Sequence, residues 1–179
     1  AITVTNNTAS TLTNFQVSIP VTYDADMQAD FDDLRFTNSS GTALDHWTET
    51  YTASTSATVL VEVDSIPASS SATVYMYYSN SSATNGSSIG NTFVFGDEFS
   101  GSSVDAGVWT VTDATGWSVA GGELSGTNTT GRLTSISTFS STSVLEIKSR
   151  YTTLPGNGYM VGGFNLSTSN GIGYLGHPG

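Results

Sequence analysis

The stretch Asn14-Phe15-Gln16-Val17-Ser18-Ile19-Pro20-Val21-Thr22-Tyr23 decides the fold. Every second residue from Phe15 to Tyr23 is apolar, and polar residues or proline stand between them. Side chains alternate across a strand, so this pattern predicts a half-buried strand with one core face carrying Phe15, Val17, Ile19, Val21 and Tyr23. Pro20 has no N–H to donate to a ladder, which leaves one side of that strand unpaired.

The same period continues outward. Ile2 to Thr5 reads as a strand, as do Leu34–Thr37, His46–Thr52, Ala57–Val63 and Ala72–Tyr78. Val59, Val61 and Val63 share one face. Val74, Met76 and Tyr78 face one way, and Tyr75 and Tyr77 the other. Asn38-Ser39-Ser40-Gly41 is a turn, and Asp24 to Phe31 has room for one helical turn. The second half adds strands near Phe93–Phe99, Val108–Val111, Trp117–Leu124, Arg132–Ile136, Ser143–Tyr151, Tyr159–Phe164 and Gly171–Leu175, with turn signals at Gly121-Gly122 and Gly156-Asn157-Gly158. No long segment has a helical period. Short strands between regular turns define an all-β chain of antiparallel sandwiches. Residues 81–91, made of Ser, Asn, Ala, Thr, Gly and Ile, read as a linker between one domain at residues 1–80 and a second at 92–179.

Composition agrees with exposed β-structure. Of the 179 residues, 37% are hydrophobic and only 11% charged, against a usual charged share of about 25%. Hydroxyls, amides and glycine make the surface instead. Four Lys+Arg stand against 15 Asp+Glu, for a net charge of -11. Such a chain repels polyanions, which argues against nucleic acid and anionic membranes as partners. Without cysteine it forms no disulfide and no thiolate metal site. No stretch is long and apolar enough to insert in a membrane as a helix. Ala1 opens directly into a strand with no signal peptide before it, so the sequence reads as a mature or excised piece of a longer protein.

Residues Ile2-Thr3-Val4-Thr5-Asn6, Thr13-Asn14-Phe15-Gln16-Val17, Asp33-Leu34-Arg35-Phe36-Thr37, Ala43-Leu44-Asp45-His46-Trp47 and Ile66-Pro67-Ala68-Ser69-Ser70-Ser71-Ala72-Thr73-Val74-Tyr75-Met76-Tyr77-Tyr78 carry a resemblance to the family known as domain of unknown function 2341. It covers residues 1–80 and implies a β-sandwich module of large secreted, envelope or virion proteins, with no catalytic residues to transfer. The second half, through Phe95-Gly96-Asp97-Glu98-Phe99-Ser100-Gly101, Val108-Trp109, Gly121-Gly122-Glu123-Leu124 and Val144-Leu145-Glu146-Ile147-Lys148-Ser149-Arg150, resembles the start of a concanavalin A-like or laminin-G-like sandwich. The two resemblances together imply tandem β-sandwiches of jelly-roll type, with the second breaking off in mid-domain at Gly179.

Candidate chemistry is sparse. Tyr75 and Tyr77, opposite a buried face, and Trp47 are candidate ligand-binding rings, since flat rings pack on apolar surfaces while keeping a polar edge. The alternative is that they are half-buried core residues. Asp24, Asp26 and Asp30 head an acidic cluster, completed by Asp32 and Asp33, that offers hard oxygens to calcium, though it lacks the EF-hand glycine; the plainer reading is a solvated loop with acids at a helix N-terminus. Loops near Asp97 or Asp105 offer the same chemistry, and no other cofactor is indicated. Six N-x-[ST] sequons begin at Asn6, Asn38, Asn80, Asn85, Asn128 and Asn165. Gly86-Ser87-Ser88-Ile89-Gly90 matches G-x-S-x-G by letter but sits in the linker, with only His46 and His177 as potential bases. The Asp97-Glu98-Phe99 segment also resembles the opening of glycoside hydrolase family 16, whose paired catalytic carboxylates are missing here. The expectation is therefore a non-catalytic module at an extracellular, cell-envelope or virion surface, working in adhesion or assembly. Its partners would be glycans, other surface proteins or copies of itself. A purely structural subunit, or a polysaccharide hydrolase completed beyond Gly179, are the alternatives.

Overall fold

The alternating stretch forms the long second strand of the first compact unit, Ala1–Gly96. The strands of that unit are β1 (Ile2–Asn6), β2 (Leu12–Thr22), β3 (Arg35–Thr37), β4 (Ala43–Leu44), β5 (His46–Thr52), β6 (Ser56–Ile66) and β7 (Ser70–Tyr77). The computed structural model describes residues 1–126, 132–140 and 143–148, and the backbone alone of residues 160–165 and 171–176.

Two antiparallel sheets face each other in this unit, one ordered β2-β6-β5 and the other β1-β7-β3-β4. Directly opposed residues in an antiparallel pair share a face. The register sets Val17 against Val61, Ile19 against Val59 and Val21 against Ala57, giving one apolar layer. Phe36, Leu44 and Val74 come from the other sheet, and the two layers close on one core with Leu34 and Ile66. Burying each such Leu, Ile, Val or Phe contributes about 1.5–3 kcal/mol before the entropy of ordering it. Phe15 departs from its expected place. It opposes Val63 on the core face, but near the margin of the sandwich, and is 45% exposed. Asn14 beside it has a φ of 48°, which interrupts the extended run. Tyr23 lies just past β2, its ring edge-on to Phe31 at 6.0 Å.

Asp24 to Leu34 forms successive reverse turns rather than a helical turn. Met27 N–H donates to Asp24 O, Phe31 N–H to Gln28 O and Leu34 N–H to Phe31 O. These turns bury Met27, Phe31 and Leu34.

The expected linker is docked on the first unit. The Asp33 carboxylate accepts from the N–H groups of Ser79 and Asn80. Gln28 donates its amide to Asn80 O and Ala83 O, and Arg35 donates to Thr84 O. Ser88 N–H donates to His46 O, and Ser87 Oγ accepts from Thr48 N–H. A short helix, α1 (Ile89–Thr92), follows, and Gln16 donates to Thr92 O at 2.7 Å. Phe93 then lies edge-on against Trp47, with ring centres 5.8 Å apart. The division between units thus falls between Gly96 and Asp97 rather than at 81–91. Phe93–Phe99 is likewise not a strand.

The second unit, Asp97–Gly179, contains β8 (Trp109–Val111), β9 (Trp117–Ala120), β10 (Glu123–Gly126), β11 (Arg132–Ser135), β12 (Met160–Asn165) and β13 (Gly171–Gly176). One antiparallel sheet is ordered β12-β13-β11-β8, and β9 and β10 form a hairpin. Its two-residue loop needs positive φ at both positions, which glycine adopts without steric cost; Gly121 and Gly122 have φ of 60° and 77°. Residues 143–148 alternate in burial as expected of a strand, but join no sheet among the described residues. The expected turn at Gly156-Asn157-Gly158 lies outside the described residues. The fold is nearly all-β, every paired strand among the described residues is antiparallel, and the first unit is a two-sheet sandwich.

Candidate binding face

β7 carries Val74 into the core with no exposed surface, and alternation turns its neighbours outward. Tyr75 is 38% exposed and Tyr77 53%. Across the ladder, Tyr75 opposes Thr37 and Tyr77 opposes Arg35 on β3. Thr73 opposes Thr3 on β1. The outer face of this sheet is therefore a row of two phenol rings flanked by hydroxyls. The Arg35 guanidinium at its border is turned toward the carbonyls of Asp32, Leu34 and Thr84.

Trp47 is not part of this face. It stands on the other sheet, opposite Leu60 on the outward side, where Phe93 packs against it. The structure thus separates Trp47 from the tyrosine pair and gives it a packing role. A depression of about 90 Å³ at the β5–β6 hairpin, lined by residues such as Thr50, Tyr51 and Thr58, is well below the roughly 300–1,000 Å³ of small-molecule sites.

Asp24, Asp26 and Asp30 are exposed and do not converge. Asp24 accepts from the N–H of Asp26 and Asp30 from that of Asp32, closing local turns. Asp32 is held above its ordinary carboxyl range by partial burial and by the charge of Asp30. Asp97 accepts from Phe99 N–H and from the Trp109 indole at 2.6 Å, while Phe99 stacks on the Trp109 ring. Asp105 accepts from Gly107 N–H. Among the described residues no group of three or more His, Cys, Asp or Glu side chains is arranged to hold a metal ion.

Asn6, the first of the six sequons, is 3% exposed. Its Nδ2 donates to the carbonyls of Ser10, Ile66 and Pro67, and its Oδ1 accepts from both Thr8 N–H and Thr8 Oγ1. A glycan on that nitrogen would remove donors from carbonyls that need them. Asn38 donates its amide to Asp64. Asn80 and Asn85 are exposed. Asn128 and the side chain of Asn165 lie outside the described residues.

The G-x-S-x-G letters hold no nucleophile elbow. Ser88 is the N-cap of α1 and its side chain accepts from Asn91 N–H. His46 is buried, its ring 5.1 Å from that of Phe36. Burial, then the nearby Arg35 charge, lowers it from an ordinary 6.5 to about 4. His177 lies outside the described residues.

The residues missed by sequence reasoning are the buried polar pins, Asn6 and Asp33. In the sequence Asp33 stands at the end of the acidic cluster, two residues before Arg35. Its carboxylate receives the N–H groups of Gln28, Ser79 and Asn80.

These features define an all-β module whose strand β7 presents two exposed tyrosines on the outer side of its sheet. Residues 30–112 match the family model described as Domain of unknown function (DUF2341). The match begins and ends later than the resemblance read over residues 1–80, and it takes in the docked segment and Trp109. No curated protein and no solved structure matches the chain. The concanavalin A-like resemblance of residues 92–179 has no counterpart in these matches.

Proposed function

We propose that the chain is a non-catalytic module of an extracellular, cell-envelope or virion surface, and that it recognises neutral glycans through the Tyr75–Tyr77 face. The carrying observation is the pair of exposed rings on β7. A tyrosine ring gives a sugar an apolar surface to pack on, and its hydroxyl gives a hydrogen-bond partner. Thr37 and Thr73 beside the rings add donors and acceptors. The net charge of -11 favours an uncharged ligand over a polyanion. Assembly into a filament, fibre or shell without a ligand is the competing reading, and the observation in its favour is the outer edge of β1, with which no strand pairs among the described residues.

A glycan array probed with the 179-residue chain tests the proposal. The expected result is binding to a set of neutral oligosaccharides, lost in Tyr75→Ala/Tyr77→Ala. Silence across all sugars, or binding indifferent to the double substitution, would overturn it.

A further inference from the structure

We propose that two copies of this chain pair antiparallel through the outer edges of their β1 strands. The inference concerns assembly and stands whether or not the tyrosine face binds glycans.

The two flanks of the first sandwich are treated differently. β4 and β5, joined through the single residue Asp45, are edge strands that lie on one flank. That flank is closed by chain: Ser87 and Ser88 bond the β5 backbone, and Thr84 receives Arg35. The remaining edge strands, β1 and β2, must lie on the opposite flank, and among the described residues no strand pairs with their outer sides. An unpaired edge is a template for another strand, and proteins ordinarily blunt it with charge, proline or irregularity. β2 is blunted by Pro20 and by the positive φ of Asn14. β1, Ile2-Thr3-Val4-Thr5-Asn6, has no proline, no glycine and no break in its register with β7.

Charge selects the occupant. Residues 1–23 contain no Asp, Glu, Lys or Arg, in a chain of net charge -11. Over most of the surface two copies repel each other, while the β1 edge offers a second acidic copy a neutral approach. A cationic partner would find its complement elsewhere. Antiparallel self-pairing is two-fold symmetric, so each copy contributes the same patch. Pairing centred on Val4 sets Thr3 of one copy against Thr5 of its partner and makes one sheet of the two β1-β7-β3-β4 sheets. The axis runs perpendicular to that sheet, so both Tyr75–Tyr77 faces point the same way. For a repeating glycan that arrangement is bivalent, a consequence that does rest on the glycan reading.

Sedimentation equilibrium of the 179-residue chain tests the pairing. Thr3 and Thr5 are exposed, so charges there need not disturb the fold, which circular dichroism checks. The unaltered chain is expected to dimerise, and Thr3→Lys/Thr5→Lys to raise the dissociation constant at least about tenfold through like charges opposed across the strands. Thr3→Glu/Thr5→Glu is expected to do the same, and an equimolar mixture of the two variants to recover a dimer. A chain that stays monomeric at every concentration, a dimer indifferent to the lysines, or a mixture that fails to recover it would each overturn the pairing. Tyr75→Ala/Tyr77→Ala is expected to remain dimeric, so failure of glycan recognition and failure of pairing are read separately.

Discussion

The two outer faces of the first sandwich teach the most by contrast. The β2-β6-β5 sheet carries Gln16 and Trp47 on its outer side, and the chain returns across it, with Thr92 on Gln16 and Phe93 on Trp47. The β1-β7-β3-β4 sheet carries Tyr75 and Tyr77 on its outer side, both exposed. Both faces present aromatic rings on alternating strand positions. In one the ring is used for packing, and in the other it is left to solvent. An aromatic residue on the outside of a strand is thus ambiguous until the path of the rest of the chain is known.

The largest expected effect comes from acid acting on the core between those faces. His46 is neutral in the fold down to about pH 4, while the unfolded chain takes up a proton near 6.5. Stability contributed by the neutral ring is therefore fully present above 6.5 and falls as pH drops toward 4, levelling below it. The full loss is at most about 3 kcal/mol. Urea titrations from pH 7 to 4 on the native chain and on His46→Leu check it, and the variant should lack this part of the decline. Removing the pin of the cover comes next. Asp33→Ala leaves the N–H groups of Gln28, Ser79 and Asn80 without their acceptor and should cost about 2–3 kcal/mol. Limited proteolysis should then cut within residues 79–96 first.

The aromatic substitutions address the contrast itself. Trp47→Ala removes the ring under Phe93 and should destabilise by about 1–2 kcal/mol, with no loss of glycan binding. Tyr77→Ala, at an exposed position, should change stability by less than about 0.5 kcal/mol while abolishing binding. Thermal melts paired with array signals would show whether the two rings separate in this way. A Tyr77→Ala loss of stability as large as that of Trp47→Ala would mean both faces are packed.

Much of the sandwich was legible because a period of two needs only local sequence. Ile19, Val21, Val59, Val61 and Val74 face the core as their alternation requires, and Tyr75 and Tyr77 face outward for the same reason. The cover was not legible. Ser, Asn and Gly in residues 81–91 report local backbone freedom, whereas docking depends on Asp33, Gln28 and Arg35, which are remote in sequence. Phe93–Phe99 misled similarly, since Phe93 is held by the distant Trp47 and its N–H closes α1 on Ile89 O. Asn6 shows the limit for sites. Asn-Asn-Thr reads as a sequon, but Ile66 and Pro67, whose carbonyls bury its amide, lie far along the chain. Phe15 alternates correctly yet is exposed, because alternation gives a face and not a distance from the sheet's end.

The most direct measurement is a titration of the chain with an oligosaccharide bound on the array, followed residue by residue through backbone amide chemical shifts. The account predicts shifts concentrated at Thr37, Thr73, Tyr75 and Tyr77, with Trp47 and Phe93 unmoved. Shifts centred on Trp47 and Phe93, or confined to residues 97–179, would contradict it.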